Sequence, residues 1–183
     1  NFLINHTLLS ADYPDIFIGN FDLLDCISVG GGNDTGIDGV GIKINGRLIG
    51  STDDIDTIIE GCNKINIEFV FIQAKMQDSI DSGELTTFCQ GVIHFLKDHP
   101  TLPENEKIKH WRNMKDYLYS KEEFIVKWNE NPTVKIYYAT SSNNDASEHF
   151  TGIMNLYKQE MEKMYFSLSD FRLITGREII RYY

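Results

Sequence analysis

A chain of 183 residues with 42% apolar content can bury one sizeable core, and two large domains would be crowded in it. Its formal charge of −10 argues against a broad basic footprint for nucleic acid, because non-specific affinity comes mainly from Lys and Arg neutralising phosphates. No stretch approaches the roughly 20 apolar residues of a membrane span and no basic-then-apolar leader opens the chain, so a soluble protein with no membrane partner is expected.

Cysteine usage narrows the setting. Cys26, Cys62 and Cys89 are odd in number and far apart, which fits neither a disulfide framework nor the short paired spacings of a zinc site. Reduced core thiols in a cytoplasmic protein are the expectation. The chain opens without Met and stops at IIRYY, which reads as the end of a helix. A single domain over residues 1–183 is expected, forming the N-terminal part of a longer protein whose other domains are its partners.

The first periodic segment, IFIGNFDLLDCI (16–27), spaces Ile16, Phe17, Phe21, Leu23, Leu24 and Ile27 at helical intervals and predicts a helix despite Gly19. VGGGNDTGIDG follows, a loop whose glycines demand unusual backbone angles. In DGVGIKINGRLIGS, Asn45-Gly46 suits a type I′ turn between two short strands. Ile55, Ile58 and Ile59 behind a Thr-Asp start predict a short helix within 52–63. INIEFVFIQAKM is apolar on both faces and reads as a strand buried on both sides. Leu85, Phe88, Cys89, Val92, Ile93 and Leu96 form a helical stripe that Pro100 and Pro103 end, and Trp111, Met114, Leu118 and Phe124 mark further helix. VKIYYAT (134–140) is a strand, EHFTGIMNLYKQEMEKM a helix, MYFSLSDF a last strand, and a helix begins near Thr175. The alternation predicts an α/β fold, a mixed central sheet flanked by helices.

Chemistry concentrates on two strands. Gln73 and Lys75 are polar residues at the end of the buried strand, on the same side as Phe69 and Phe71. Asp38 stands between the glycine-rich loop and the first hairpin strand. If the two strands lie side by side, as the hairpin permits, a carboxylate, an amide carbonyl and an ammonium converge. A carboxylate with a neutral oxygen can hold Mg²⁺, which takes few protein ligands and keeps waters and substrate phosphate oxygens. The lysine could then orient or help deprotonate an attacking water, or steady charge developing on phosphorus. Glu68, an odd number of positions from Gln73, is expected on the other face and outside the site.

GGGNDTGIDGVGIKING followed by FVFIQAK resembles the N-terminal region of abortive infection phage resistance (AIPR) proteins. It is also similar to the Mrr-type branch of restriction-endonuclease-like nucleases, in which an Asp opens one strand and a Gln-x-Lys variant of the (D/E)xK pair lies on the next. The likeness is strongest over residues 30–96 and continues more loosely through PTVKIYYAT. The resemblance implies a restriction-endonuclease-like fold and a Mg²⁺- or Mn²⁺-dependent DNA endonuclease in anti-phage defence. It makes Asp38 the metal-binding Asp, Gln73 the variant position and Lys75 the catalytic Lys.

Gln73 carries no negative charge, and such nucleases usually draw another acid from the preceding helix. Asp15, Asp22 and Asp25 lie in that region, with Asp22 slightly preferred beside apolar Phe21. Asp34 is nearer in sequence and reads equally as a turn residue bonding its own backbone. Gln90, on the helix after the buried strand, could face the same site or stand exposed. His94 and His99 lack a paired ligand four residues on and read as surface or partly buried residues. Trp111, Trp128 and the C-terminal tyrosines read as core or interface. Two other classes stay open: a catalytically inactive domain binding nucleic acid or a partner protein, which the neutral Gln73 and acidic charge favour, and a homodimerisation module.

Overall fold

The computed structural model describes residues 4, 5, 8, 25–77 and 79–182, the last in backbone alone. Five strands form one mixed sheet in the order β2-β1-β3-β4-β5. β1 (Gly39–Ile44) and β2 (Arg47–Leu48) are the expected hairpin, joined at Asn45 and Gly46 with φ of 52° and 80°, as a type I′ turn requires. β1 also pairs antiparallel with β3 (Ile67–Lys75), whereas β3, β4 (Thr133–Thr140) and β5 (Ser167–Ile174) run parallel. The C-terminal ends of three strands therefore lie along one rim of the sheet. Ligand sites in open α/β sheets commonly form at such a rim.

Between β2 and β3 runs α1 (Thr52–Glu60), started by a capping box in which Ser51 and Asp54 satisfy each other's backbone N–H groups. The crossover from β3 to β4 contains α2 (Ser82–Leu96), α3 (Glu106–Ser120) and the single turn α4 (Glu122–Ile125). α5 (Glu148–Lys163) links β4 to β5, and α6 (Gly176–Tyr182) follows β5. No helix among the described residues is long and apolar enough to cross a membrane.

β3 is buried along most of its length, as its double-sided apolar pattern predicts. On the face carrying Phe69, Phe71 and Gln73 the layer above is α2 and α5. Phe71 meets Phe95 edge-on at 5.2 Å, and Tyr138 of β4 lies between Phe88 and Phe150 at 6.3 and 6.2 Å. Each such fully buried side chain contributes about 1.5–3 kcal/mol. Trp111 of α3 is fully buried and donates its indole N–H to the Cys26 carbonyl at 2.9 Å. Trp128 is half-buried, packed edge-on against Tyr119 at 4.8 Å. Both tryptophans thus belong to packing.

Three details differ from expectation or fall outside it. The last strand starts at Ser167 rather than near Met164, because α5 ends in a turn where Tyr165 takes φ 62° and Phe166 N–H bonds back to Met161 O. Of the expected helix at 16–27, only Asp25–Ile27 are described, and they are helical. Cys89 is buried, its thiol pushed up to about 12 by desolvation, whereas Cys26 and Cys62 are half-buried; all three are free thiols.

Candidate functional site

The loop before β1 is held in shape by its own carboxylate. Asp34 accepts Gly31 N–H at 2.8 Å and Gly36 N–H at 2.9 Å, one on each oxygen. Gly36, at φ 79°, lies against the Phe88 backbone of α2, where a Cβ would approach to 3.3 Å. Gly91, one turn along α2, carries no side chain because a Cβ there would overlap the Thr35 carbonyl oxygen. The loop is thereby docked on α2 before the chain enters β1.

At that entry Asp38 donates its backbone N–H to Ile72 O at 2.9 Å, extending the β1–β3 ladder by one residue and setting Asp38 opposite Gln73. Its side chain is buried, 7% exposed. Oδ2 accepts two hydrogen bonds from β3, Gln73 Nε2 at 2.9 Å and Ala74 N at 2.8 Å. A carboxylate only accepts, so the amide presents its nitrogen to Asp38 and its oxygen at the opposite corner. That oxygen, Gln73 Oε1, is buried with no hydrogen-bond partner among the described residues. Gly30 leaves room for the carboxylate, since a Cβ there would stand 2.7 Å from Asp38 Oδ1.

Two residues further along β3, Lys75 emerges half-buried at the rim. Its Nζ is 3.5 Å from Glu84 Oε1 in the first turn of α2. The N-cap of that helix, Asp81, accepts Glu84 N–H at 2.9 Å. Tyr138 is the β4 neighbour of Gln73. Its hydroxyl, like Glu84 Oε2, is buried without a hydrogen-bond partner among the described residues. Burial first, then the Glu84 and Asp81 carboxylates, push this phenol up to about 12. Gln73, Lys75, Asp81, Glu84, Gly36 and Thr87 line an open cleft of ≈ 390 Å³.

Of the residues expected at a site, Asp38, Gln73 and Lys75 share one face and one end of the β1–β3 pair. Asp34 spends both carboxylate oxygens on its own loop. Gln90 is exposed and lies beside the Tyr157 hydroxyl, on the side of α2 that meets α5. Asp25 is exposed, 3.6 Å from Lys107 Nζ, whereas Asp15 and Asp22 lie outside the described residues. Glu68 pairs with Lys43 at 3.0 Å. That places it across the sheet from Gln73, as its odd spacing requires. His94 is buried rather than superficial: the chain from Leu102 folds over it, and Nε2 accepts Leu102 N–H at 3.2 Å. His99 is exposed.

Sequence reasoning missed Glu84, Asp81 and Tyr138. A signal for the first two existed, because Asp81 and Glu84 stand three apart at the start of a helical stripe, the spacing of a helix N-terminus. Tyr138 reads as one more aromatic in VKIYYAT until β4 is placed beside β3.

For a divalent cation the oxygens at this end of the sheet include the Asp38 carboxylate and the Gln73 carbonyl, with the Glu84 carboxylate on the same cleft as Gln73. Among the described residues no three His, Cys, Asp or Glu side chains are grouped to share a metal. Mg²⁺ needs few protein oxygens, because it keeps most of its ligands as water or substrate oxygens. No family model, curated protein or solved structure matches the chain. The likeness to AIPR and Mrr-type proteins rests on the quoted motifs alone.

Proposed function

We propose that the chain is a Mg²⁺- or Mn²⁺-dependent DNA endonuclease domain of restriction-endonuclease-like fold, acting in anti-phage defence of the abortive-infection kind. The observation that carries this reading is the pairing of buried Asp38 with Gln73 across β1 and β3, two residues before Lys75 at the open rim. An antiparallel β1–β3 pair continued by parallel strands supports the fold.

Hydrolysis requires that a water oxygen bond to phosphorus while the bond from phosphorus to one sugar oxygen breaks. The water loses a proton and the leaving oxygen gains one. Asp38 and Gln73 would hold the cation, which supplies positive charge to a phosphoryl oxygen and to the attacking water. Lys75, a cation with three donors, orients that water or steadies the charge on phosphorus. DNA must also be held against a chain charge of −10. Arg177 and Arg181, exposed one helical turn apart on α6, line a second cleft of ≈ 380 Å³ at the end of β5, along the same rim as Lys75. Asp145 and Glu178 line the same cleft, so the two arginines bring guanidinium donors to a phosphate rather than a net positive patch.

Incubating the full-length protein with plasmid and Mg²⁺ or Mn²⁺ tests the reading. Cleavage is expected from the wild type, with Lys75→Ala and Asp38→Asn slower by about a hundredfold or more. Cleavage unchanged in both variants overturns the assignment. A silent nucleic-acid-binding domain is the second reading, favoured by the neutral Gln73 amide, which satisfies Asp38 Oδ2 with a proton donor rather than a cation. Binding of DNA with no cleavage by any form would select it.

A further inference from the structure

The Gln-x-Lys strand lacks the carboxylate that a charged (D/E)xK strand would place beside the lysine, and the first turn of α2 brings one to the same cleft. We propose that Glu84 is the second carboxylate of the cation site, facing the cation with the Gln73 carbonyl oxygen while Asp38 lies across the amide. This rests on the nuclease reading for its purpose, but not for its evidence.

Three observations point to Glu84. Its Oε1 lies 3.5 Å from Lys75 Nζ, so it is at the residue whose chemistry needs a neighbouring charge. Its Oε2 is buried without a hydrogen-bond partner among the described residues, although the residue is about a third exposed. A carboxylate held only to secure Lys75 would leave that oxygen's desolvation uncompensated. The third observation is independent of Glu84: Gln73, 2% exposed, keeps Oε1 unbonded, and Gln73 and Glu84 line one cleft. The unbonded Tyr138 hydroxyl stands one strand over from Gln73. Two buried acceptor oxygens on residues of one cleft, with a buried hydroxyl one strand over, suit a hydrated cation, whose charge takes the acceptors.

Asp38 gains a defined part in this arrangement. Besides offering its carboxylate to the cation, it accepts Gln73 Nε2 at 2.9 Å, which fixes the amide and draws electron density toward Oε1. Lys75 and the cation would share Glu84, one oxygen each.

Mn²⁺ binding to the full-length protein, measured by titration calorimetry and by the rise in melting temperature it causes, provides a test that needs no DNA. Glu84→Gln is expected to weaken Mn²⁺ about tenfold or more. Gln73→Glu added to Glu84→Gln restores the missing charge on the neighbouring strand and should recover most of the loss. Glu84→Gln binding Mn²⁺ as tightly as the wild type overturns the role of Glu84 and leaves the nuclease reading standing. A wild type that binds neither Mn²⁺ nor Mg²⁺ overturns both. Mn²⁺ binding that depends on Glu84, without plasmid cleavage, keeps the site and removes the nuclease. Circular dichroism of each variant separates lost binding from lost folding.

Discussion

At one end of the β1–β3 ladder Lys43 stands opposite Glu68, and near the other Asp38 stands opposite Gln73. Both pairs are bonded across the same two strands, at 3.0 and 2.9 Å, and three of the four residues are nearly sealed from solvent. The first joins opposite charges. The second joins a carboxylate to a neutral amide whose oxygen finds no donor among the described residues. A cross-strand ion pair closes its electrostatic account locally and serves the sheet. A carboxylate–amide pair with a bare oxygen, facing a lysine and a cleft, is incomplete by itself. The two pairs are therefore distinguished by what each leaves unsatisfied, and the proposed site uses the second.

Deleting one partner of the structural pair should have the largest effect on stability. Glu68→Ala removes the cross-strand carboxylate from the Lys43 ammonium, 1% exposed, and should cost about 3 kcal/mol, at the low end for buried pairs because Glu68 itself is a quarter exposed. Urea denaturation with an unchanged slope reads this directly, and plasmid cleavage should stay at the wild-type rate. Replacing both partners, Lys43→Met with Glu68→Leu, should recover most of the loss, since a well-packed apolar pair often matches a buried ionic one. If Glu68→Ala instead abolished cleavage with stability intact, the two pairs would have exchanged roles.

Gly91→Ala sharpens the contrast from the other side. Its Cβ would collide with the Thr35 carbonyl and stand 2.8 Å from Thr35 Oγ1, pushing the glycine-rich loop off α2. Overpacking of this kind costs about 1–3 kcal/mol. Because that loop leads into Asp38, the variant should lose cleavage beyond what its lower melting point explains. Asp38→Asn reverses the order of effects. An Asn carbonyl oxygen placed where Oδ2 stands still accepts both Gln73 Nε2 and Ala74 N–H, so stability should move by no more than about 1 kcal/mol while cleavage is lost.

Much of the candidate site's geometry was legible because alternation along a strand is a strong geometric rule. Phe69, Phe71, Gln73 and Lys75 share a face, Glu68 takes the other, and Asn45-Gly46 fixes the hairpin that brings β1 back beside β3. The parallel order of β3, β4 and β5 was not legible, since it depends on crossovers through α2, α3 and α5 that leave no local mark on a strand. With that order unknown, Tyr138 could not be set beside Gln73. Glu84 was hidden for a related reason. Its sequence neighbours show only a helix start, and it joins Lys75 because α2 doubles back over the end of β3. Asp34 shows the opposite limit, where one short segment supports two chemistries and only the hydrogen bonds to Gly31 and Gly36 choose the turn.

The smallest expected effect lies at the far end of α2, where polarity is again structural. His94 is buried, and desolvation lowers its proton affinity from the ordinary 6.5, partly opposed by the Glu104 carboxylate 3.9 Å away. Lys97 and Arg112 add to the lowering. The bond from Leu102 N–H to Nε2 holds only while that nitrogen is unprotonated. With the folded value below the unfolded one, the unfolded chain takes up the proton first as pH falls. The contribution of His94 is thus fully present above about pH 6.5 and lost as pH drops below it. Urea midpoints at pH 7.5 and 5.5 should fall more for the wild type than for His94→Gln, whose amide oxygen can still accept Leu102 N–H without titrating. Equal falls in the two proteins would place the acid sensitivity elsewhere, in carboxylates such as Glu104, and leave His94 a packed residue with no share in it.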